Sequence, residues 1–280
     1  MTILLTGANG FIGRHVLSQL LEAGHHVLAV VRPSRENQLA QHPKLIILPR
    51  ELRDICMRDI EGCEMLIHLA AYGVGQGMND WENCFQINVH DSLNLWRQAA
   101  LSGTRRFIIC GSCFEYGRSA ERYEFIPVTA PLEPTGAYHA SKAAATMAAL
   151  GLAVDQGLEL VVARPFHVFG EGETPTRFWP SLRRAALAGE DFPMTNGEQI
   201  RDFTDVETVA KELVYLATIA EIKAGYPKIE NIGSGKPQSI LDFAKEQWAA
   251  LNAKGKLKPG AIAQRNNETM RYVPFIKIYQ

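Results

Sequence analysis

Apolar residues along this chain fall into short continuous runs separated by stretches of helical period. Thr2–Thr6, His26–Val31, Leu45–Leu48, Met65–Ala70, Arg106–Cys110 and Leu158–Ala163 are largely apolar, the pattern of strands buried on both faces. Phe11–Ala23 puts Ile12, Val16, Leu20 and Leu21 on one stripe and closes at Gly24, a helix with a glycine stop. Further helices are expected near 80–102 and 136–156. Strands of this kind alternating with helices predict an α/β fold, a doubly wound parallel sheet with helices on both faces. After Pro165 the pattern loosens, punctuated by Gly170, Gly172, Pro175, Pro180, Gly189, Pro193 and Gly197. The expected division is a large domain over 1–165, to which 200–222 returns, and a small C-terminal lobe from 166–199 and 223–280. No flexible linker separates them, so the lobe should pack directly on the sheet.

Composition narrows the classes. The 280 residues can bury a sizeable core, and an apolar content of 46% is too high for a disordered chain. With 29 Lys+Arg against 30 Asp+Glu the net charge is −1, which supplies no overall field for nucleic acid or an anionic membrane. No apolar run reaches the ~18 residues that span a bilayer. Met1–Thr6 breaks at Gly7 with no basic leader before it, so no signal peptide is expected. Cys56, Cys63, Cys84, Cys110 and Cys113 are odd in number and form no CxxC pair. A disulfide framework or metal site is therefore not expected, and a cytoplasmic location fits.

The first motif lies between the first strand and the first helix. Gly7-Ala8-Asn9-Gly10-Phe11-Ile12-Gly13 sits where backbone N–H groups and a helix N-terminus can hold a pyrophosphate. Gly7, Asn9, Gly10, Phe11, Ile12 and Gly13 are thus candidate cofactor-binding residues. The spacing is GxxGxxG rather than GxGxxG, but its strand–loop–helix setting favours a dinucleotide over a plain tight turn and makes the sheet Rossmann-type. Charge bears on which dinucleotide. The second strand runs into Arg32-Pro33-Ser34-Arg35, with no Asp or Glu at its end to take a ribose 2′-OH. Arg32, Ser34 and Arg35 could instead hold a 2′-phosphate, which favours NADP(H) and leaves NAD(H) possible.

The second motif is Tyr138-His139-Ala140-Ser141-Lys142, a YxxxK that puts both side chains on one face of a helix. A nearby ammonium lowers a Tyr pKa from its reference of ~10, which would make Tyr138 a usable general acid/base. Ser112 is expected at the C-terminal end of a strand, the edge where doubly wound sheets place ligands, and its hydroxyl could polarise a carbonyl or hold an alkoxide.

With these pieces together the chain resembles the extended short-chain dehydrogenase/reductase family in its nucleotide-sugar branch (NAD-dependent epimerases and dehydratases). The resemblance rests on TGANGFIG at Thr6–Gly13, HLAA at His68–Ala71, Asn88-Val89, and Ser112 to Tyr116-Gly117. It continues through Tyr138–Lys142, Ala163–Gly170 (ARPFHVFG), Arg201–Val206 (RDFTDV) and Asn231–Gly235 (NIGSG), in the family's order. It implies that Ser112, Tyr138 and Lys142 are catalytic and that Leu69, Ala70, Ala71 and Pro165 line the cofactor beside Tyr138 and Lys142. It also implies Glu51 and Leu52 near the adenine, Arg201 on the diphosphate of a nucleotide sugar, and a homodimer formed through the helices near 80–102 and 136–156.

Departures from the family pattern bear on the reaction. The Asp-Glu pair directly after the catalytic hydroxyl in 4,6-dehydratases is Cys113 and Phe114 here, so dehydration is not expected. NADPH-dependent reduction of a 4-keto nucleotide sugar is expected instead. The alternatives are a 4-epimerase with tightly held NAD, an epimerase/reductase using Cys113 with His167, and a non-catalytic NADP-binding sensor. Glu268–Pro274 resembles the family's tail, but Phe275–Gln280 lacks its usual last helix, so the sugar side is expected to be open or completed by a partner chain.

Overall fold

The computed structural model describes residues 1–74, 80–264 and 269–276, the Asn37 side chain apart. Its centre is a seven-stranded sheet built from β1 (Thr2–Thr6), β2 (His26–Val31), β3 (Leu45–Pro49), β4 (Met65–His68), β5 (Arg106–Cys110), β6 (Glu159–Pro165) and a later strand, Lys228–Ile232. The strand order is Lys228–Ile232, β6, β5, β4, β1, β2, β3, and every pair is parallel. The fold is therefore Rossmann-like, and all the loops leaving the C-terminal ends of these strands open on one edge.

Successive residues of each strand serve opposite faces, and two helical layers cover them. On one face Ile3, Leu5, Ile67, Ile108 and Val161 pack under α1 (Phe11–Glu22), through Val16 and Leu20, and under a later helix (Val206–Thr218) through Val209, Leu213 and Leu216. On the other, Leu4, Leu66, Phe107, Ile109, Leu160 and Val162 meet Leu95, Trp96 and Ala99 from one helix and Ala145, Ala149 and Ala153 from the next. Each fully buried aliphatic side chain contributes about 1.5–3 kcal/mol, so this double face dominates the fold's stability.

The helix expected near 80–102 is three segments: α2 (Trp81–Phe85), a π-turn over Gln86–Asp91, and α3 (Ser92–Leu101). The wider turn leaves Ser92 Oγ donating to the Ile87 carbonyl at 2.9 Å. α4 (Ala137–Gln156) is continuous and stops at Gly157 in the left-handed region. Met65–Ala70 is shorter than expected as a strand, because the N–H groups of Leu69 and Ala70 turn to Thr6 Oγ1 at 3.2 and 3.1 Å.

The remaining elements are β7 (His167–Phe169), α5 (Phe178–Ala188), β8 (Phe192–Met194), β9 (Ile200–Arg201), β10 (Phe203–Asp205), α6 (Val206–Thr218), β11 (Lys228–Ile232), β12 (Gln238–Ser239), α7 (Ile240–Ala250), β13 (Leu257–Pro259) and β14 (Arg271–Tyr272). β7 pairs with β10, β12 and β14 flank β9, and β13 pairs with β8. A small cluster of Leu182, Met194 and Ala244 joins α5 to α7. One boundary needs correcting. β11 lies inside the 223–280 segment expected in the lobe, yet it forms the sheet's seventh strand, in register with β6 from Lys228 opposite Val161 to Ile232 opposite Pro165. An edge strand with Lys, Glu and Asn among its five residues lacks the continuous apolar run that marks the inner strands. Among the described residues, no helix is long and apolar enough to cross a membrane.

Candidate active site

The glycine loop leaves β1 at Gly7, whose φ of +72° lies in the left-handed region. A Cβ there would meet Leu69 C and Ala70 N at 2.8 Å, so the loop crosses the end of β4 at backbone contact. Gly13 is tighter still: its Cβ would sit 1.9 Å from the Gly7 carbonyl oxygen, so only glycine lets α1 start against the loop. The Gly10 N–H donates to the Gly7 carbonyl at 2.9 Å, and α1 begins after Gly10 with no side-chain cap. A helix N-terminus presented this way, at the C-terminal edge of a parallel sheet, fits a dinucleotide pyrophosphate. Asn9 closes the loop sideways, donating through Nδ2 to Gln38 Oε1 at 2.9 Å.

A buried relay holds β1 and β4 together beneath the loop. Thr6 Oγ1 already accepts the N–H groups of Leu69 and Ala70, so its proton goes to His68 Nδ1 at 2.9 Å. His68 Nε2 then donates to Ser92 Oγ at 3.0 Å, and Ser92 donates onward to Ile87. Burial, and secondarily the Lys142 charge, push the His68 pKa down to about 3, so the imidazole stays neutral and keeps this tautomer. The motif around His68 is thus held by hydrogen bonds that spacing in the sequence did not reveal.

Arg32, Ser34 and Arg35 lie exposed in a tight turn beyond β2, closed by the Arg35 N–H on the Arg32 carbonyl at 2.8 Å. Glu51 and Leu52, half-buried, begin the short turn after β3, and Pro165 is buried at the end of β6. Asn88, on the π-turn, ties this edge to α4. It accepts the Tyr72 N–H at 2.7 Å and donates to Ser141 Oγ at 2.9 Å, which fixes the chain just past Ala71.

The three candidate catalytic residues come together. Ser112 comes directly after the loop from β5 and caps a single 3-10 turn, its Oγ accepting from the Phe114 N–H at 3.3 Å. Tyr138 and Lys142 stand one turn apart near the start of α4, and the Ser112 side chain hydrogen-bonds the Tyr138 phenol. The electrostatics differ from expectation. The Lys142 ammonium donates to the Cys110 carbonyl at 2.6 Å, and burial, the dominant influence, pushes the Tyr138 pKa well above its ordinary value. The phenol consequently holds its proton at neutral pH, the state a proton donor needs.

Three residues expected on the substrate side, Cys113, His167 and Arg201, gather around Tyr272. Cys113 is buried in an apolar cluster with Tyr116, Phe166 and Tyr272, and burial pushes its thiol up to about 12. His167, at the start of β7, packs its ring against Phe114, Phe203 and Tyr272, with centroids 5.9, 6.3 and 6.2 Å away. Burial, then the charges of Arg201 and Arg177, push its imidazole down to about 3. Phe114 stacks on His139 at 4.9 Å, the two rings nearly parallel at 12°. Arg201 is buried, and its guanidinium donates to the carbonyls of Ile200 at 2.9 Å, Thr269 at 2.8 Å and Met270 at 3.2 Å, holding the tail against β9. Asp202 instead accepts from Thr204 Oγ1 and from the Ser234 and Gly235 N–H groups, and Asp205 caps α6. Of the tail resemblance, Glu268 lies outside the described residues.

A hydroxyl–phenol pair with an ammonium one turn on, facing a glycine loop across the same sheet edge, defines an NAD(P)-dependent enzyme of the extended short-chain dehydrogenase/reductase type. The profile of the NAD dependent epimerase/dehydratase family matches residues 3–233, and the chain belongs to that family. A UDP-glucose 4-epimerase of Corynebacterium glutamicum is 26% identical, over 86% of this chain and 77% of that protein. The dTDP-6-deoxy-L-talose 4-dehydrogenase (NAD(+)) of Aggregatibacter actinomycetemcomitans is 28% identical, over 96% and 98%. Among solved structures, MoeE5 in complex with UDP-glucuronic acid and NAD matches with a TM-score of 0.84 at 26% identity, over 99% of this chain and 90% of that one. The class is that of nucleotide-sugar-modifying enzymes.

Proposed function

We propose that this enzyme reduces a 4-keto nucleotide sugar with NADPH. The observation that carries the reading is the character of the two residues after Ser112. Cys113 is a buried thiol and Phe114 a phenyl ring stacked on His139, so neither offers the Ser112–Tyr138 pair a carboxylate to drive elimination. A thiol pushed up to about 12 and an imidazole pushed down to about 3 are also poorly matched for exchanging protons at neutral pH, which weighs against epimerisation through Cys113 and His167.

The glycine loop and the first turn of α1 would hold the pyrophosphate, and Lys142 would reach the nicotinamide ribose. When bound, the reduced nicotinamide supplies the hydride that the ketone carbon accepts. Ser112 hydrogen-bonds the carbonyl oxygen and orients it toward Tyr138. Tyr138 donates its proton to that oxygen as the C–O double bond becomes single, leaving a secondary alcohol and the oxidised cofactor. The test is NADPH consumption with UDP-, GDP-, CDP- and dTDP-linked 4-keto sugars. Interconversion of 4-epimers by copurified NAD, with no NADPH consumed, would support the 4-epimerase instead, and NADPH binding without any turnover would support the sensor.

The turn at Arg32–Arg35 supports NADPH over NADH. Replacing both Arg32 and Arg35 by Ala should weaken NADPH binding about 10–100-fold, the two solvent-exposed contacts together being worth about 1.5–3 kcal/mol, and leave NADH binding nearly unchanged. Fluorescence titration with both cofactors checks this; equal losses for the two would argue against a 2′-phosphate site. A homodimer belongs to the same proposal, supported by apolar side chains exposed on the relevant helices: Trp81, Leu101, Met147 and Val154. Five free cysteines are consistent with a cytoplasmic setting.

A further inference from the structure

Beneath Ser112 lies an ion pair closed off from solvent. Glu115 is 0% exposed and Arg164, from β6, is 1% exposed. Glu115 Oε1 accepts the Ser112 N–H at 2.7 Å. Its Oε2 accepts Arg164 Nε and Thr146 Oγ1, each at 2.8 Å. The guanidinium also lies over the Tyr116 ring, 4.7 Å from its centroid, and the Tyr116 hydroxyl donates to Asn231 Oδ1 of β11 at 2.7 Å. The carboxylate therefore joins the loop after β5 to α4, β6 and, through Tyr116, β11.

Fold stability alone does not explain such a pair. Taking two charges out of water costs about as much as their attraction returns, and apolar residues of similar volume are often as stable. The bonds that apolar residues could not replace are those from Thr146 Oγ1 and from the Ser112 N–H, and the second leads to the site. The loop is built around that bond: a Cβ on Gly111 would sit 2.6 Å from Glu115 Oε1, so the backbone wraps directly onto the carboxylate.

We infer that the Glu115–Arg164 pair is a positioning device for Ser112, fixing its backbone so that its hydroxyl meets the Tyr138 phenol. Neither residue touches a reacting atom, so both are positioning residues, and their effect on turnover rests on the reduction proposed above. The Glu115 charge also acts at a distance, helping to raise the Tyr138 pKa.

Two variants test this, with the wild type assayed alongside. Glu115→Gln keeps an acceptor for the Ser112 N–H and removes the negative charge. It should retain turnover within about tenfold, and the alkaline limb of its kcat profile should move to lower pH, because Tyr138 then loses its proton more easily. Glu115→Leu combined with Arg164→Met removes both charges and the acceptor together. It should fold with NADPH affinity intact and lose roughly 10²-fold in kcat, the scale expected when a reacting group is displaced by about 1 Å. Its crystal structure with NADPH should show Ser112 Oγ no longer on the Tyr138 hydroxyl. A folded double variant that keeps both wild-type kcat and the Ser112–Tyr138 contact would overturn the proposal. If the double variant does not fold, Gly111→Ala, whose added methyl crowds Glu115 Oε1 off the Ser112 N–H, takes its place, and wild-type kcat with the Ser112–Tyr138 contact kept would overturn the proposal. The crystallographic reading needs no substrate, so a wild type inert toward every keto-sugar would count against the proposed reaction and leave the positioning role to be decided by the position of Ser112.

Discussion

Tyr138→Phe should lower turnover by about 10²–10⁴-fold and leave NADPH affinity within about twofold, because it removes one proton and nothing that touches the glycine loop. The phenol belongs to a half-buried side chain, is hydrogen-bonded by Ser112 and is held well above its ordinary pKa, so it arrives at the reaction protonated. Without it the forming alkoxide keeps the Ser112 hydrogen bond but has no acid within reach on α4. Lys142 is occupied at 2.6 Å on the Cys110 carbonyl and does not substitute for it. Steady-state kinetics on the best keto-sugar, with a cofactor titration beside it, separate the two effects. Full turnover in a folded Tyr138→Phe enzyme would sink the mechanism.

The second large effect falls on Gly13. A methyl group there would lie 1.9 Å from the Gly7 carbonyl oxygen, and both partners are backbone, so neither can swing aside. Gly13→Ala should cost about 3 kcal/mol or more, a melting-temperature drop of roughly 6–12 °C for a chain of this size. The helix would have to move away from the loop, so NADPH affinity should fall by about 100-fold or more as the pyrophosphate seat opens. Ser18→Ala is the control: it stands exposed on the same helix, α1, and helix propensity favours alanine there by a few tenths of a kcal/mol. Calorimetry and cofactor titration on the two variants give the comparison, and a Gly13→Ala protein with wild-type melting and affinity would contradict the packing argument.

The inner sheet was readable because strands buried on both faces must be continuously apolar, and β1, β2 and β5 begin and end where that pattern does. β11 was not readable as part of the sheet, since this edge strand is mostly half-buried and carries Lys228, Glu230 and Asn231. The glycine loop and the Ser112, Tyr138 and Lys142 set were legible because their chemistry requires fixed residue types at short spacings. Their supports were not. Thr6 with His68, Asn88 with Ser141 and Glu115 with Arg164 are separated by tens of residues and meet only through the fold. The direction of the Tyr138 shift escaped for the same reason: a nearby ammonium can be read from YxxxK, whereas the burial that outweighs it depends on elements far away in the chain. Arg201 is a similar case, since the tail carbonyls that receive its guanidinium lie near the far end of the sequence.

The placement of β11 also bears on how the chain is made. Six strands of the sheet are complete once Pro165 has been synthesised, but the neighbour that covers the outer edge of β6 arrives only with Lys228–Ile232. At about 5–20 residues per second, a nascent chain carries that bare, apolar edge for several seconds. Over that interval the half-built sheet is a template for pairing with a neighbouring nascent chain, and a pause in translation between these two segments would lengthen the exposure.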